Sequence, residues 1–140
     1  MLNEHWDDGL PLPLDKFSPG QYSIISLAIY DPDNSEKINY LSTNLANSNY
    51  IVLNSRRLYG TLIHLNKKYP ITSKYYKLLF SEKLGYKKIT EFSSYPSLFG
   101  ITINDDGSEE TFQVYDHPKV IIFKNEGKFS NIRLGQLLEN

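Results

Sequence analysis

The fold is decided by residues 22–53, which read YSIISLAIYDPDNSEKINYLSTNLANSNYIVL. Residues 22–30 are mostly apolar and rich in β-branched and aromatic side chains, a composition that predicts a buried strand. The turn-forming sequence Asp31-Pro32-Asp33 ends this strand. The last four residues, Tyr50-Ile51-Val52-Leu53, are again apolar and predict a second buried strand.

A helix is predicted between these two strands, over residues 34–47. Ile38, Leu41 and Leu45 lie at i, i+3 and i+7, which places them on one helical face. Asp33 and Glu36 have the spacing of a capping box, so Asp33 is the predicted N-cap. Strand, helix and strand with short loops form a βαβ unit, which predicts two parallel strands joined by a right-handed crossover.

The remainder of the chain is predicted to be richer in strands. Residues 55–64 are compatible with either a short helix or an irregular loop. A second helix is predicted to follow, with Thr72 or Ser73 as its N-cap. That helix stops at Leu84-Gly85-Tyr86, where the glycine supplies a left-handed residue. The further predicted elements are strands over 86–92, 98–103, 111–115 and 120–123, a hairpin turn at 104–107, and a short closing helix that carries Ile132, Leu134, Leu137 and Leu138.

We therefore predict an α/β fold, a three-layer or two-layer sandwich with a mixed sheet. Its N-terminal right-handed βαβ unit is followed by a β-rich half that contains a hairpin. Three prolines within residues 1–20 predict an extended N-terminal arm, and residues 21–140 are predicted to form a single α/β domain. The length of 140 residues agrees with this, because roughly 100–150 residues is the commonest domain size.

Composition and charge exclude several classes of protein. The chain has no cysteine, which rules out disulfide scaffolds, thiolate zinc sites and cysteine nucleophiles. Fifteen Lys and Arg residues against sixteen Asp and Glu residues give a net charge of −1, which argues against a dedicated nucleic-acid binder. The apolar runs are strand-length, far shorter than the about 20 residues that a membrane span needs.

The familiar sequence motifs of catalysis and cofactor binding are missing. No glycine-rich phosphate loop follows the first strand, where Tyr30-Asp31-Pro32 stands instead, and proline removes a backbone donor. The three histidines, His5, His64 and His117, form no HExxH motif, and no GxSxG motif is present. We predict no catalytic residue, no metal site and no cofactor for this chain.

A ligand site is predicted at the carboxyl ends of the two parallel strands, where ligands bind in open α/β sheets. Asp31 follows the first strand, and Ser55 and Arg57 follow the second, so these groups are expected at one edge of the sheet. Arginine can clamp a phosphate or carboxylate through two hydrogen bonds. The alternative is that Asp31 and Asp33 cap a helix and that Arg56 and Arg57 lie in a solvated loop.

Eleven tyrosines and one tryptophan have two interpretations. Trp6 and Tyr59 lie in predicted loops, where we expect them to contact a ligand, for example by stacking on a sugar ring. Four other tyrosines are expected in the core or at its rim, with hydroxyl groups that find hydrogen-bond partners: Tyr75, Tyr76, Tyr86 and Tyr115.

A series of motifs along the chain resembles a known family. In order they are Trp6-Asp-Asp-x-Leu-Pro, Tyr30-Asp-Pro-Asp, Tyr50-Ile-Val-Leu-x-Ser-x-Arg57-Leu-Tyr-Gly60, Tyr69-Pro-x-Thr-x-x-Tyr-Tyr76, Leu79-Phe, Leu84-Gly and Glu109-Glu-x-Phe-x-Val-Tyr-Asp-His-Pro-Lys119. The series resembles the soluble region of large bacterial and archaeal polytopic membrane proteins of the dolichyl-phosphate-mannose mannosyltransferase-like class (glycosyltransferase family 39-like, GT-C class). The resemblance covers the chain from Glu4 to about Asn125.

This resemblance implies a domain on the extracytoplasmic side of the membrane, with the membrane-embedded portion of the same polypeptide as its partner. Such enzymes use a polyprenyl-phosphate sugar donor and usually carry the catalytic acid in an early loop between membrane helices. The sequence contains no such loop, so the expected role is a non-catalytic accessory domain that contacts the acceptor, the glycan or the lipid-linked sugar, and no nucleic acid. The alternatives are an autonomous α/β enzyme or binding protein for a phosphorylated or nucleotide-linked sugar, and a structural interaction module.

The motif Tyr115-Asp116-His117-Pro118-Lys119 has a separate prediction. Pro118 stands between two predicted strands, and proline in a sheet is confined to bends and edges. We therefore expect this segment to be structural, with Asp116 accepting hydrogen bonds from the backbone or from His117 and fixing a bend.

Overall fold

The computed structural model describes residues 1–4, 23–54, 56–93, 97–98, 101–102 and 119–139. Within the described ranges, no helix is both long and apolar enough to cross a membrane. The elements follow in chain order as β1 (Leu2–Glu4), β2 (Ile25–Leu27), α1 (Ser35–Asn47), β3 (Tyr50–Leu53), α2 (Tyr59–Leu62), α3 (Pro70–Phe80), β4 (Tyr86–Ser93), β5 (Ser97–Leu98), β6 (Ile101–Thr102), β7 (Lys119–Asn125) and α4 (Asn131–Glu139).

The main sheet has five strands in the order β2-β1-β3-β7-β4. The first three are parallel to one another, and β7 runs antiparallel to both of its neighbours, β3 and β4. The predicted α/β class with a mixed sheet is therefore confirmed. The short strands β5 and β6 form a separate antiparallel pair.

The central parallel strand, β1, comes from the segment that we predicted to be an irregular arm. Leu2 pairs with Ile25 on one side and with Ile51 on the other. Three residues without a β-branched side chain give almost no local strand signal, so pairing on both sides, rather than propensity, makes this segment a strand. Residues 5–20 of the predicted arm lie outside the described residues.

The position of β1 changes the predicted βαβ unit. The strands before and after α1 are parallel, but β1 lies between them, so α1 crosses over one intervening strand. The predicted strand over 22–30 is also shorter in the structure, Ile25–Leu27, because it is an edge strand that pairs with the three residues of β1.

Both ends of α1 are satisfied by side chains. The prediction that Asp33 is the N-cap is wrong, since Asn34 has the extended cap conformation and its side chain accepts from the Lys37 amide. At the other end, the carbonyl oxygens of Leu45 and Ser48 accept hydrogen bonds from the Tyr86 hydroxyl and the Asn125 side chain, two residues that pair across β4 and β7. The sheet therefore caps the C-terminus of α1.

The start of α3 also differs from the prediction that Thr72 or Ser73 caps it. The helix begins at Pro70, which suits the first helical turn because its missing amide hydrogen is not needed there. The predicted glycine after the helix is confirmed, because Gly85 has φ +79°. It also lies against Gly127, whose amide donates to the Gly85 carbonyl oxygen at 2.8 Å.

The predicted strand over 98–103 differs from the structure, in which Leu98 of β5 pairs antiparallel with Ile101 of β6. Residues 99, 100 and 103 lie outside the described residues. The predicted strand over 111–115 lies outside the described residues. The strand that starts at Tyr86 and the strand around residues 120–123 are confirmed as β4 and β7.

One face of the sheet carries the main core. Residues that alternate along the strands point to the same side, and all four helices pack against that side among the described residues. The sheet contributes Leu2, Leu27, Ile51, Leu53, Tyr86, Ile121 and Phe123, and the helices contribute Leu41, Leu45, Leu62, Tyr75, Tyr76, Leu79, Leu134 and Leu138. The three predicted core tyrosines that the structure describes are thus confirmed in the core.

Candidate functional site

The carboxyl ends of the three parallel strands lie at one edge of the sheet. Glu4 ends β1, residues 28–33 follow β2, and Asn54 with Arg56 and Arg57 follows β3. We call this group of residues the strand-end edge. Open α/β sheets bind ligands at this edge, so the side chains that lie here are the first candidates for a ligand site.

A buried lysine organises one half of the strand-end edge. The Lys37 ammonium donates to the carbonyl oxygens of Ile29 and Asp31 at 2.7 Å, to Asp33 Oδ1 at 2.6 Å and to Thr72 Oγ1 at 2.6 Å. Only 4% of Lys37 is exposed. A charge this deep is tolerated because every donor has an acceptor and one acceptor is a carboxylate. We call this group the lysine node.

The lysine node joins three elements. Lys37 belongs to the first turn of α1, the two carbonyl groups belong to the segment after β2, and Thr72 belongs to α3. The Asp33 carboxylate extends the joint, since its Oδ2 accepts from the amides of Ile71 at 2.6 Å and Thr72 at 3.4 Å. A helix N-terminus attracts an anion, and at α3 the Asp33 carboxylate occupies that position.

An acid and two tyrosines occupy the centre of the strand-end edge. Glu4 is fully buried, and its Oε1 accepts from the Tyr76 hydroxyl at 2.5 Å. Tyr75 lies beside Tyr76 with ring centroids 5.0 Å apart, and among the described residues its buried hydroxyl group has no hydrogen-bond partner. Burial raises the pKa of Tyr75 well above its usual value, and the negative charge of Glu4 raises it further.

Tyr59 extends this centre toward the surface. It lies in α2, where its ring contacts Tyr76 with centroids 6.4 Å apart and Phe80 with centroids 5.2 Å apart. The predicted contact residue is therefore half-buried in an aromatic row rather than free in a loop. Its role as a ligand contact stays a prediction.

A small hollow opens beside the lysine node, at the start of α1. Its volume is about 220 Å³, and it is lined by Asp31, Pro32, Asn34, Glu36, Lys37 and Tyr40. The hollow thus combines two carboxylates, one amide, a buried ammonium group and an aromatic ring that is 38% exposed. The polar groups can accept hydrogen bonds from hydroxyl groups of a ligand and donate hydrogen bonds to them. The Tyr40 ring offers a face on which a ligand can stack.

The predicted ligand residues are only partly brought together. Asp31 is exposed and lines the hollow, whereas Arg57 is exposed after β3. Both residues follow strands that end at the predicted edge of the sheet, and β1 separates the two strands by two strand spacings, about 10 Å. Trp6 and Ser55 lie outside the described residues.

The alternative interpretation of the acidic pair is partly correct. Asp33 does cap a helix, but the helix is α3, which begins 37 residues later in the sequence at Pro70. Asp31 contributes its backbone carbonyl oxygen to the lysine node, which leaves its side chain facing the hollow region.

Within the motif predicted to be structural, Lys119 is the residue that the structure describes. It begins β7, and its ammonium lies 2.6 Å from Glu91 on the neighbouring strand β4. Lys88 also reaches Glu91, at 3.1 Å, and these two lysines lower the pKa of the Glu91 carboxyl, with the hydrogen bond from Lys119 as the largest cause. Tyr115, Asp116, His117 and Pro118 lie outside the described residues.

Three side chains that lie at or beside the strand-end edge were not predicted there from the sequence: Glu4, Lys37 and Tyr76. For Lys37 a signal exists, because it lies four residues before Leu41 on the inner helical face and four residues after Asp33. Glu4 gives no such signal, since its burial depends on the pairing of β1 with two strands that are distant in sequence.

No known protein family matches the chain, and no curated protein or solved structure shows significant similarity to it. In the part of the chain that the structure describes, no group of three or more His, Asp or Glu side chains is arranged to hold a metal ion.

Proposed function

We propose that this chain is a non-catalytic accessory domain of a membrane-bound glycosyltransferase that uses a lipid-phosphate sugar, located on the extracytoplasmic side of the membrane. Its partner is the membrane-embedded portion of the same polypeptide. The hollow at the start of α1 faces the acceptor or the glycan. The motif series that resembles the dolichyl-phosphate-mannose mannosyltransferase-like class supports the enzyme class.

The observation that carries the non-catalytic role is that buried charged groups at the strand-end edge form hydrogen bonds within the fold. Lys37 and Asp33 connect three elements through hydrogen bonds, and Glu4 accepts from Tyr76 inside the core. A general acid or base needs to reach the proton of a bound substrate. These groups are instead enclosed in the framework, so they support a role in shaping a surface.

The hollow supports contact with a neutral sugar. Hydroxyl groups of a sugar both donate and accept, and the Asp31, Asn34 and Glu36 side chains supply acceptors and an amide donor. Tyr40 offers a partly exposed ring and donates its hydroxyl group to the Ser26 carbonyl oxygen, which holds the ring in place. Two carboxylates beside the hollow disfavour a phosphate there.

The test is chemical-shift mapping of the isotope-labelled chain with monosaccharides, sugar phosphates and short glycans. We expect shifts at Asp31, Asn34 and Tyr40 with neutral sugars, and their loss in Asp31→Ala. Asp31→Ala leaves the lysine node in place, because Asp31 contributes its backbone carbonyl oxygen there. Thr43→Ala, on the exposed side of the same helix, is the matched control and keeps the shifts.

Two outcomes contradict the proposal. Shifts confined to Arg56 and Arg57 with sugar phosphates favour an autonomous protein for phosphorylated sugars. Absence of shifts with every sugar favours a structural interaction module.

A further inference from the structure

The net charge of the chain is near zero, but its charged residues are unevenly distributed along the sequence. Residues 64–83 contain five lysines and a single acidic residue, Glu82. The five are Lys67, Lys68, Lys74, Lys77 and Lys83. This stretch comprises the turn before α3, the whole of α3 and the turn after it. We call its five lysines the basic face.

The fold places the basic face on the surface. α3 buries Thr72, Tyr75, Tyr76 and Leu79, so Lys74 and Lys77, three residues apart, lie together on the opposite, outward side. Lys67, Lys68, Lys77 and Lys83 are exposed, and Lys74 is half-buried. α3 has 11 residues, so the face extends about 16 Å along the helix.

Within the described ranges, no carboxylate forms an ion pair with the lysines of this face. Across the described residues, the ion pairs involve Lys37, Lys88 and Lys119, and none of the five lysines pairs with a carboxylate. Glu82, the one acidic residue in the stretch, accepts from the Lys88 backbone amide. The potential of the face is therefore available to a partner.

Apolar side chains border the basic face. Leu65, in the turn before α3, is 38% exposed, and Phe80, at the end of α3, is 37% exposed. Lys68 lies over the Tyr69 ring, with its ammonium 5.2 Å from the ring centroid. Basic groups with large apolar side chains beside them are the combination that binds membrane interfaces.

We propose that the basic face binds the surface of a membrane that contains anionic phospholipids. Lysine favours this partner over nucleic acid, because its ammonium group is a hydrated point charge without the two-pronged geometry by which arginine reads phosphates and bases. Two of its lysines, Lys74 and Lys77, lie on the outer side of a helix, whereas proteins that bind single-stranded nucleic acid use a groove that follows the strand. The inference rests on charge and exposure and does not require the glycosyltransferase assignment.

The test is sedimentation of the full chain with vesicles made of equal parts of phosphatidylcholine and phosphatidylglycerol. We expect binding that weakens as salt is raised, and no binding to phosphatidylcholine vesicles. Each lysine near an anionic surface contributes about a fivefold gain in partitioning, so Lys74→Gln with Lys77→Gln lowers the partition coefficient about 25-fold.

The matched control removes the same charge from the other side of the sheet. Lys87 and Lys124 are exposed and pair directly across β4 and β7, on the face opposite α3. The variant Lys87→Gln with Lys124→Gln is expected to keep binding within about twofold of the parent chain.

Three results overturn the proposal. The first is equal binding to phosphatidylcholine vesicles, and the second is equal loss of binding in the control variant. The third is tighter binding to a single-stranded oligonucleotide than to the anionic vesicles at the same ionic strength, which assigns the basic face to nucleic acid. Circular dichroism establishes that each variant is folded, so that a loss of binding reports on the face itself.

Discussion

Lys37 occupies a position on the inner side of α1 that is normally apolar, four residues before Leu41 and eight before Leu45. Its side chain is buried, and its ammonium group lies within hydrogen-bond distance of four oxygen acceptors. A lysine here stabilises the fold only because the whole node is complete.

The first prediction is that Lys37→Met destabilises the protein by about 3–5 kcal/mol, the usual cost of removing one partner of a buried ion pair. Methionine fills a similar volume, so the loss comes from the Asp33 carboxylate, which loses its cation, and from the Ile29 and Asp31 carbonyl oxygens, which lose the ammonium donor. Thr72 Oγ1 continues to donate to the Ile29 carbonyl oxygen. The free energy of unfolding in urea, followed by circular dichroism, measures the effect.

Lys77→Met is the control for this substitution, because Lys77 is exposed on the outer side of α3. It is expected to change the free energy of unfolding by less than about 0.5 kcal/mol. A cost below about 1 kcal/mol for Lys37→Met shows that the node contributes little to folding.

The second prediction contrasts two neighbouring tyrosines of α3. Tyr75→Phe removes a buried hydroxyl group that has no hydrogen-bond partner in the described part of the chain, so it is expected to be neutral or to stabilise the protein by about 1 kcal/mol. Tyr76→Phe removes the donor to Glu4 and is expected to cost about 1–3 kcal/mol. Equal effects of the two substitutions on the urea midpoint contradict the arrangement described for Glu4.

The third prediction concerns alkaline pH. Burial raises the pKa of both Tyr75 and Tyr86 above the unfolded value of 10.0. Below about pH 10 both states keep these protons, whereas above it the unfolded state releases them and the folded state does not, so stability falls as pH rises. The expected slope is about 1.4 kcal/mol per pH unit for each tyrosine.

Unfolding in urea at a series of pH values measures this slope. Tyr75→Phe is expected to reduce the slope by about 1.4 kcal/mol per pH unit, because one buried phenol group is gone. A stability that stays constant between about pH 10 and 11 contradicts the burial of both hydroxyl groups.

At the scale of elements, Gly85 and Gly127 bring two turns into close backbone contact. A Cβ on Gly127 lies 2.7 Å from the Gly85 Cα and 2.9 Å from Phe129 Cε1, closer than real atoms approach. The fourth prediction is that Gly127→Ala costs about 1–3 kcal/mol, because backbone has to move.

Gly135→Ala, within α4, is the control, and it is expected to change stability in the opposite direction. Its Cβ finds its nearest neighbours in Ile38 and Ser42 at 3.9 Å, which is ordinary contact. Alanine favours a helix over glycine by about 1 kcal/mol, so this substitution is expected to stabilise the protein. Thermal unfolding distinguishes the two, and a shift in the same direction for both contradicts the packing of the Gly85–Gly127 contact.

Elements with a strong local signal were predictable, and elements made by long-range pairing were not. The periodicity of Ile38, Leu41 and Leu45 predicted α1 within one residue of its ends, and β3 was predicted exactly as it stands, Tyr50–Leu53. β1 and the pair β5–β6 depend on partners that the local sequence does not specify. The N-cap of α1 was missed because neighbouring Asp33 and Asn34 are both good capping residues.

At the scale of the whole molecule, the sheet order decides which predicted site residues meet. Insertion of β1 between β2 and β3 places Glu4 between the segments that carry Asp31 and Arg57. The sequence therefore predicted the edge where polar groups gather but not its centre. The proposed non-catalytic role rests on the enclosure of Lys37, Asp33 and Glu4 by hydrogen bonds within the fold.

The most direct test of this account is a glycosyl-transfer assay with the purified chain, a short-chain polyprenyl-phosphate sugar and candidate acceptors. We predict no product above a protein-free control, because the acids of the described strand-end edge serve the fold or the hollow surface. Product that this chain forms alone, and that folded Asp31→Asn or Glu4→Gln variants no longer form, contradicts the non-catalytic role.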